Sequence, residues 1–417
     1  MNLSPLAEPF VQMMQKKPLP KINNVNVIEQ RILISLYEDM YEADKSPMIA
    51  DKSPILADKS PILADKPILA DKPILALPNN NKFFPKTIRK YIQKTPFSLL
   101  TFTSKINNRE IKINFYIFAD VPIATQHFPD YVKMMLTWLT ICNKYAPKKC
   151  AEKMCVTIYL TPFEKILPPN NTAVLSPEHI NTAFTMSCVA DGEITIYRAE
   201  EWFKVFIHET FHAYGLDFGL NDATALRTLL AKTFPIKSDL NASEAYTETW
   251  ARIINCLLYS FYSLPNKQDR ETFLLYSDFC LQLERLFTIF QMNKVLEFMG
   301  LTYEDLHDSR EKSVFLRKQL YKENTHVFAY YVLPAIFLND YKHFITWCST
   351  NNNVSFLKFD CQEANFKKMA NYIEAVYKNP TLLKTLTDVT KVTVSKKQHQ
   401  LDNTTRMAVI DMINIYL

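Results

Sequence analysis

His208, Glu209 and His212 stand in the run Ile207-His208-Glu209-Thr210-Phe211-His212. On a helix, positions four apart share a face about one turn apart, so both imidazoles can aim at one ion. Glu209 falls on the adjacent face, where its carboxylate would reach a metal-bound water and not the metal. The chemistry this spacing suits is hydrolysis with one Zn2+. The ion lowers the water's pKa toward neutrality, and Glu209 takes the proton and later returns it to a leaving amine.

A catalytic zinc takes three protein ligands and keeps one position open. The run His208 to Gly215 also opens the longer metzincin motif, H-E-x-x-H-x-x-G-x-x-H. Its third histidine would fall on Phe218, which cannot bind metal, and Asp217 beside it is one residue out of register. A second candidate lies downstream in Ser243-Glu244-Ala245-Tyr246-Thr247-Glu248-Thr249-Trp250. This resembles the gluzincin pattern, which implies Glu244 as third ligand and Glu248, one turn on, as the carboxylate that orients a ligand histidine. Serine stands before Glu244 where asparagine is common, and Glu248 replaces the more usual aspartate. Segment 219–240 would be an inserted loop. The same resemblance implies an oxyanion donor from the helical part of the chain, with Tyr330, Tyr331 and His326 as candidates. It also implies a substrate strand added along a sheet edge, for which Thr182–Ser187 is the candidate.

The block from His179 to Phe218, followed by SEAYTETW, resembles zinc metalloproteinases encoded by large nucleocytoplasmic DNA viruses. The phrases I-Y-R-x-E-E and H-E-T-F-H carry the likeness, here as Ile196-Tyr197-Arg198-Ala199-Glu200-Glu201 and His208–His212. It covers about Phe83 to the end of the sequence. It implies a peptidase acting on protein or peptide substrates, with virion proteins as partners and a role in the virion or its maturation. A structural, virion-associated protein on the same scaffold, without catalysis, is the competing expectation. The intact Glu209 speaks against it, because a decayed enzyme often loses its base. A non-peptide hydrolase using the same water is a third.

The elements that must position these residues can be read around them. Phe97–Thr103 and Glu110–Phe118 predict paired strands about Asn107-Asn108-Arg109. Asp130–Lys144 predicts an amphipathic helix and Cys155–Leu160 a buried strand. Strands over Thr182–Ser187 and Glu193–Arg198 then lead into a helix over Glu200–Tyr214, closed by Gly215 as a left-handed cap. From about Ser243 the pattern is helical, including Tyr303–Leu306, Glu323–Leu338 and Glu363–Tyr377. Only 4 glycines against 23 prolines leave few tight hairpins and many helices. The expected class is α+β: a zincin-like, mixed-sheet lobe over 79–218 ending in the H-E-x-x-H helix, then a helical lobe over 219–417.

Asn24–Tyr41 predicts a short docking helix within an N-terminal segment 1–43, which could occupy the cleft of an autoinhibited state. From Asp44 to Ala76 the chain repeats DKSPILA or DKPILA. A proline in every unit blocks helix and sheet alike, so 44–78 reads as an extended, disordered linker. The eight cysteines include no C-x-x-C pair and read as buried free thiols of a reducing compartment. His127, His179, His307, His343 and His399 fit no ligand spacing. A net charge of +5 is mild for this length, and nothing in the sequence resembles the concentrated basic stripe of a nucleic-acid binder, so no nucleic-acid partner is expected. No signal peptide and no run of eighteen apolar residues is visible, so a soluble, intracellular protein without membrane partners is expected.

Overall fold

The computed structural model describes residues 1–16, 27–45, 77, 81–121, 125–392 and 399–416. Nearly all of the proline repeat lies outside these residues. Its first two residues, Asp44 and Lys45, belong to a helix, so the expected linker begins later than position 44. The class is mixed α and β, with one five-stranded sheet and many helices.

The helices and strands up to the metal-binding candidates run α1 (Glu8–Lys16), α2 (Val27–Lys45), α3 (Lys86–Lys94), β1 (Phe97–Ile106), β2 (Arg109–Phe118), α4 (Phe128–Asn143) and β3 (Lys153–Leu160). There follow the single turn α5 (Pro177–Ile180), β4 (Ala183–Thr185), β5 (Asp191–Ile196) and α6 (Trp202–Ala213). Beyond them lie α7 (Thr224–Thr233), α8 (Ala242–Tyr262) and α9 (Arg270–Phe298). Segment 219–240 is thus not a bare loop; it carries α7. The strand order is β1-β2-β3-β5-β4, antiparallel at both ends and parallel between β2, β3 and β5. β4 is therefore an edge, paired in the sheet only to β5.

Alternation along the strands decides which layer meets which face. Ile113, Val156, Ile158, Ile194 and Ile196 turn to the face covered by α4 and α6, where Trp138, Trp202 and Phe206 fill the core. Phe118, Tyr159 and Tyr197 turn the other way, onto Ile88 and Ile92 of α3 and onto Leu77. The first core continues without a break through α6 into α8 and α9, so sheet half and helical half share one interior.

The N-terminal helices do not line the space around His208. Phe10 packs edge-on against Phe287 and Phe290 of α9, and Tyr37 of α2 meets Phe261 and Phe273. For residues 1–16 and 27–43 the expected cleft-filling role is corrected accordingly, since their apolar residues follow the helical core, and residues 17–26 lie outside the described residues.

The cysteine expectation also needs correcting at one pair. Cys150 and Cys188 form a disulfide, and the other six are free. Parallel pairing of β3 with β5 explains it. Ala151 N–H donates to Val189 O and Lys153 N–H to Ala190 O, which brings positions 38 apart in sequence side by side. Among the described residues no helix is long and apolar enough to cross a membrane.

Candidate metal centre

α6 is buried along its whole length. Its residues are apolar except Lys204, His208, Glu209, Thr210 and His212, and its C-terminus is set by Gly215. That glycine sits at φ +61°, and its N–H donates to His212 O while Leu216 N–H donates to Phe211 O. A left-handed turn here costs a glycine little. It also packs the chain against the Cys150–Cys188 bridge, with Cys150 Sγ 3.2 Å from where a Cβ would stand.

The two imidazoles point their Nε2 atoms at each other across 3.1 Å. Glu244 Oε2 completes the triangle, 3.2 Å from His208 Nε2 and 3.5 Å from His212 Nε2. Three donors each about 2 Å from one tetrahedral ion stand roughly 3.3 Å apart. His208, His212 and Glu244 thus form a buried group able to hold a metal ion. α8 delivers Glu244 in its first turn, where the Asn241 side chain accepts from Glu244 N–H at 3.3 Å and the positive helix end favours a carboxylate.

Each ring's other nitrogen is held by a carboxylate. His208 Nδ1 lies 2.9 Å from Glu248 Oε2, and His212 Nδ1 lies 2.9 Å from Asp217 Oδ2. A proton kept on each Nδ1 leaves the Nε2 lone pairs free toward the common point. Glu248 is 1% exposed, so it is no solvated helix face. Lys204 Nζ donates to both its oxygens, and Arg252 Nε donates to Oε1 at 2.8 Å. Removing one partner of such a buried cluster strands a charge, at about 3–5 kcal/mol. Asp217 accepts in turn from Ser243 Oγ at 2.8 Å and from Gly219 N–H.

The charges respond as this packing demands. Burial alone would raise Glu244, but His212 and His208 beside it hold its carboxyl well below the usual range. Burial would likewise raise Glu248, and Lys204 and Arg252 overcome it. Burial would lower His212, yet Glu244 and Asp217 push it well up. Glu209 goes the other way: burial raises it, and the neighbouring histidines only partly offset this.

Tyr330 belongs to a π-helical turn, Phe328–Val332, whose ring centroid is 6.0 Å from that of His208. Burial first, then the nearby Glu244, pushes its phenol well above the ordinary value. Tyr331 is turned away, and its candidacy as an oxyanion donor is corrected. Its hydroxyl donates to Thr405 O, because consecutive helical residues diverge by roughly 100° and cannot both face one site. The expected helix over Glu323–Leu338 starts late for the same segment, at the π turn followed by Leu333–Asn339. His326 is tied to Asp239 at 2.9 Å, with its ring 6.0 Å from that of Tyr330.

Lys204, Asp217, Ser243 and Arg252 were not assigned these supporting positions from sequence. A signal existed for Lys204, a lone cation in the apolar run Trp202–Ile207, one turn before His208. Arg252 stands one turn after Glu248. The chain matches no protein-family model, no curated protein and no solved structure.

Proposed function

We propose that the protein is a zinc-dependent metallopeptidase of the gluzincin type on a zincin-like scaffold, cutting protein or peptide substrates. The observation that carries this reading is the triangle of His208, His212 and Glu244, whose spacings suit one tetrahedral ion, with Glu209 beside it. Two imidazoles and one carboxylate are a donor set of catalytic zinc. When bound, zinc supplies Lewis acidity and brings a water's pKa near neutrality.

The remaining work falls to the chain. Glu209, on the same helix and raised by burial, takes the water's proton and returns it to the leaving amine. Tyr330, whose ring lies 6.0 Å from that of His208, is the residue that donates its hydroxyl to the oxyanion in this reading. Glu248 and Asp217 fix the rings. β4, with one edge unpaired by other strands of the sheet, is the place for a substrate backbone to add as a further strand. Affinity to the viral metalloproteinases, and virion proteins as substrates or partners, belong to the same proposal.

Metal content by mass spectrometry, paired with peptide-library cleavage by wild type and Glu209→Gln, tests it. Both proteins should carry about one zinc, and the variant should lose on the order of 10²–10⁴ in rate. Stoichiometric zinc in a wild type that cleaves nothing the variant spares would overturn the peptidase reading.

A further inference from the structure

A small cavity of about 30 Å³ opens beside the metal-binding group. Val205 and Glu209 of α6, Lys204 below them, Thr182 and Ala183 at the sheet edge, and Met407 wall it. We infer that this cavity receives the side chain that follows the scissile bond, and that Met407 closes it so that only Gly, Ala or Ser fits. The inference rests on the peptidase reading and adds a substrate class to it.

Direction comes from the proton's route. The group that takes the water's proton must return it to the leaving nitrogen, so the residue bearing that nitrogen sits on Glu209's side. Glu209 and Val205 line the cavity, together with His208 and Tyr330. Size follows from volume, since a cavity that admits a benzene ring measures on the order of 150 Å³. At about 30 Å³ this one has room for a methyl or hydroxymethyl group and not for a branched or aromatic side chain.

Met407 is not free to swing aside with its backbone. Its N–H donates to Glu201 Oε1 at 2.8 Å, and its sulfur lies 3.9 Å from Lys204 Nζ. On either side, Thr405 N–H donates to Lys165 O and Val409 N–H to Glu284 Oε2. Charge gives no opening for an acidic side chain either. Lys204 is taken by Glu248 and Lys165 by Glu201. One group in the wall does lack a partner: the Thr182 hydroxyl, in a residue 4% exposed.

Zinc-loaded full chain is incubated with a mixture of unstructured peptides, and the new N-termini are read by mass spectrometry. Gly, Ala and Ser should exceed Leu, Ile and Phe by about tenfold or more, and Met407→Ala should raise Leu relative to Ala by about tenfold. Binding gives a second readout: zinc-loaded Glu209→Gln should hold an intact peptide with Ala after the target bond about tenfold tighter than its Leu counterpart. Dominance of large apolar residues in the wild-type profile, or equal binding of the two peptides, overturns the pocket alone. Neither cleavage nor peptide binding overturns the peptidase reading and the pocket with it. The wild-type profile decides even if Met407→Ala fails to fold.

Discussion

Asp217 lies 2.9 Å from Nδ1 of His212, on the ring nitrogen that faces away from Glu244. That one contact separates the two candidates for third ligand. A ligand must meet the Nε2 side, where the histidines converge, and Glu244 does. Asp217 is the carboxylate that orients the ring.

Asp217→Ala should therefore weaken metal binding by about 10- to 100-fold, the usual effect of losing an orienting partner. Glu244→Ala should weaken it further. Competition against a chromophoric chelator measures both. An equal or larger loss in Asp217→Ala would exchange their roles.

The two adjacent tyrosines should part company. Tyr330→Phe is expected to lower kcat on the order of 10²-fold, with KM little changed. Tyr331→Phe should leave kcat near wild type and lower stability by about 1 kcal/mol, through a buried carbonyl left without its donor. Steady-state kinetics and urea melts on the two variants decide it. A larger kcat loss in Tyr331→Phe would sink the assignment.

The Cys150–Cys188 bridge closes a separation of 38 residues, which by loop entropy corresponds to about 4 kcal/mol. Alkylation of the unfolded chain without reductant should label six thiols, and eight after reduction. Replacing both cysteines by serine should lower the urea midpoint accordingly. Eight labelled thiols before reduction would show that the bridge is not formed.

His307 gives the molecule an acid sensitivity away from the metal centre. Both its ring nitrogens are buried without partners, and Tyr303 and Tyr377 pack against it. Burial, with help from Lys378, lowers its pKa to about 4. The folded value is below the unfolded one, so the unfolded chain binds more protons and stability falls as pH drops from about 6.5 to about 4. The loss should be on the order of 2 kcal/mol, discounted for the ring's partial exposure. Thermal melts across this window should show a shallower decline for His307→Phe. Parallel declines in the two proteins would remove His307 as the cause.

Features governed by neighbours in sequence were legible before the structure. Periodicity placed α4, β3 and α6 within a few residues of their ends, and Gly215 marked the cap. The spacing of Glu244 and Glu248 put both on one face of α8. Features governed by register between distant segments were not. Nothing local pairs Cys150 with Cys188, and chain distance cannot say which side of an imidazole Asp217 meets. The segment from Thr404 to Ile410 carries no helical period. Its place beside α6 is set by backbone hydrogen bonds to Glu201, Lys165, Gln291 and Glu284.

That last segment also sets an order of events during synthesis. Met407 is made roughly two hundred residues after His212, which at 5–20 residues per second is on the order of ten to forty seconds. Through that interval the nascent chain holds both histidines but not the wall beside them. The surroundings of the two histidines are thus completed only well after the histidines themselves have been made.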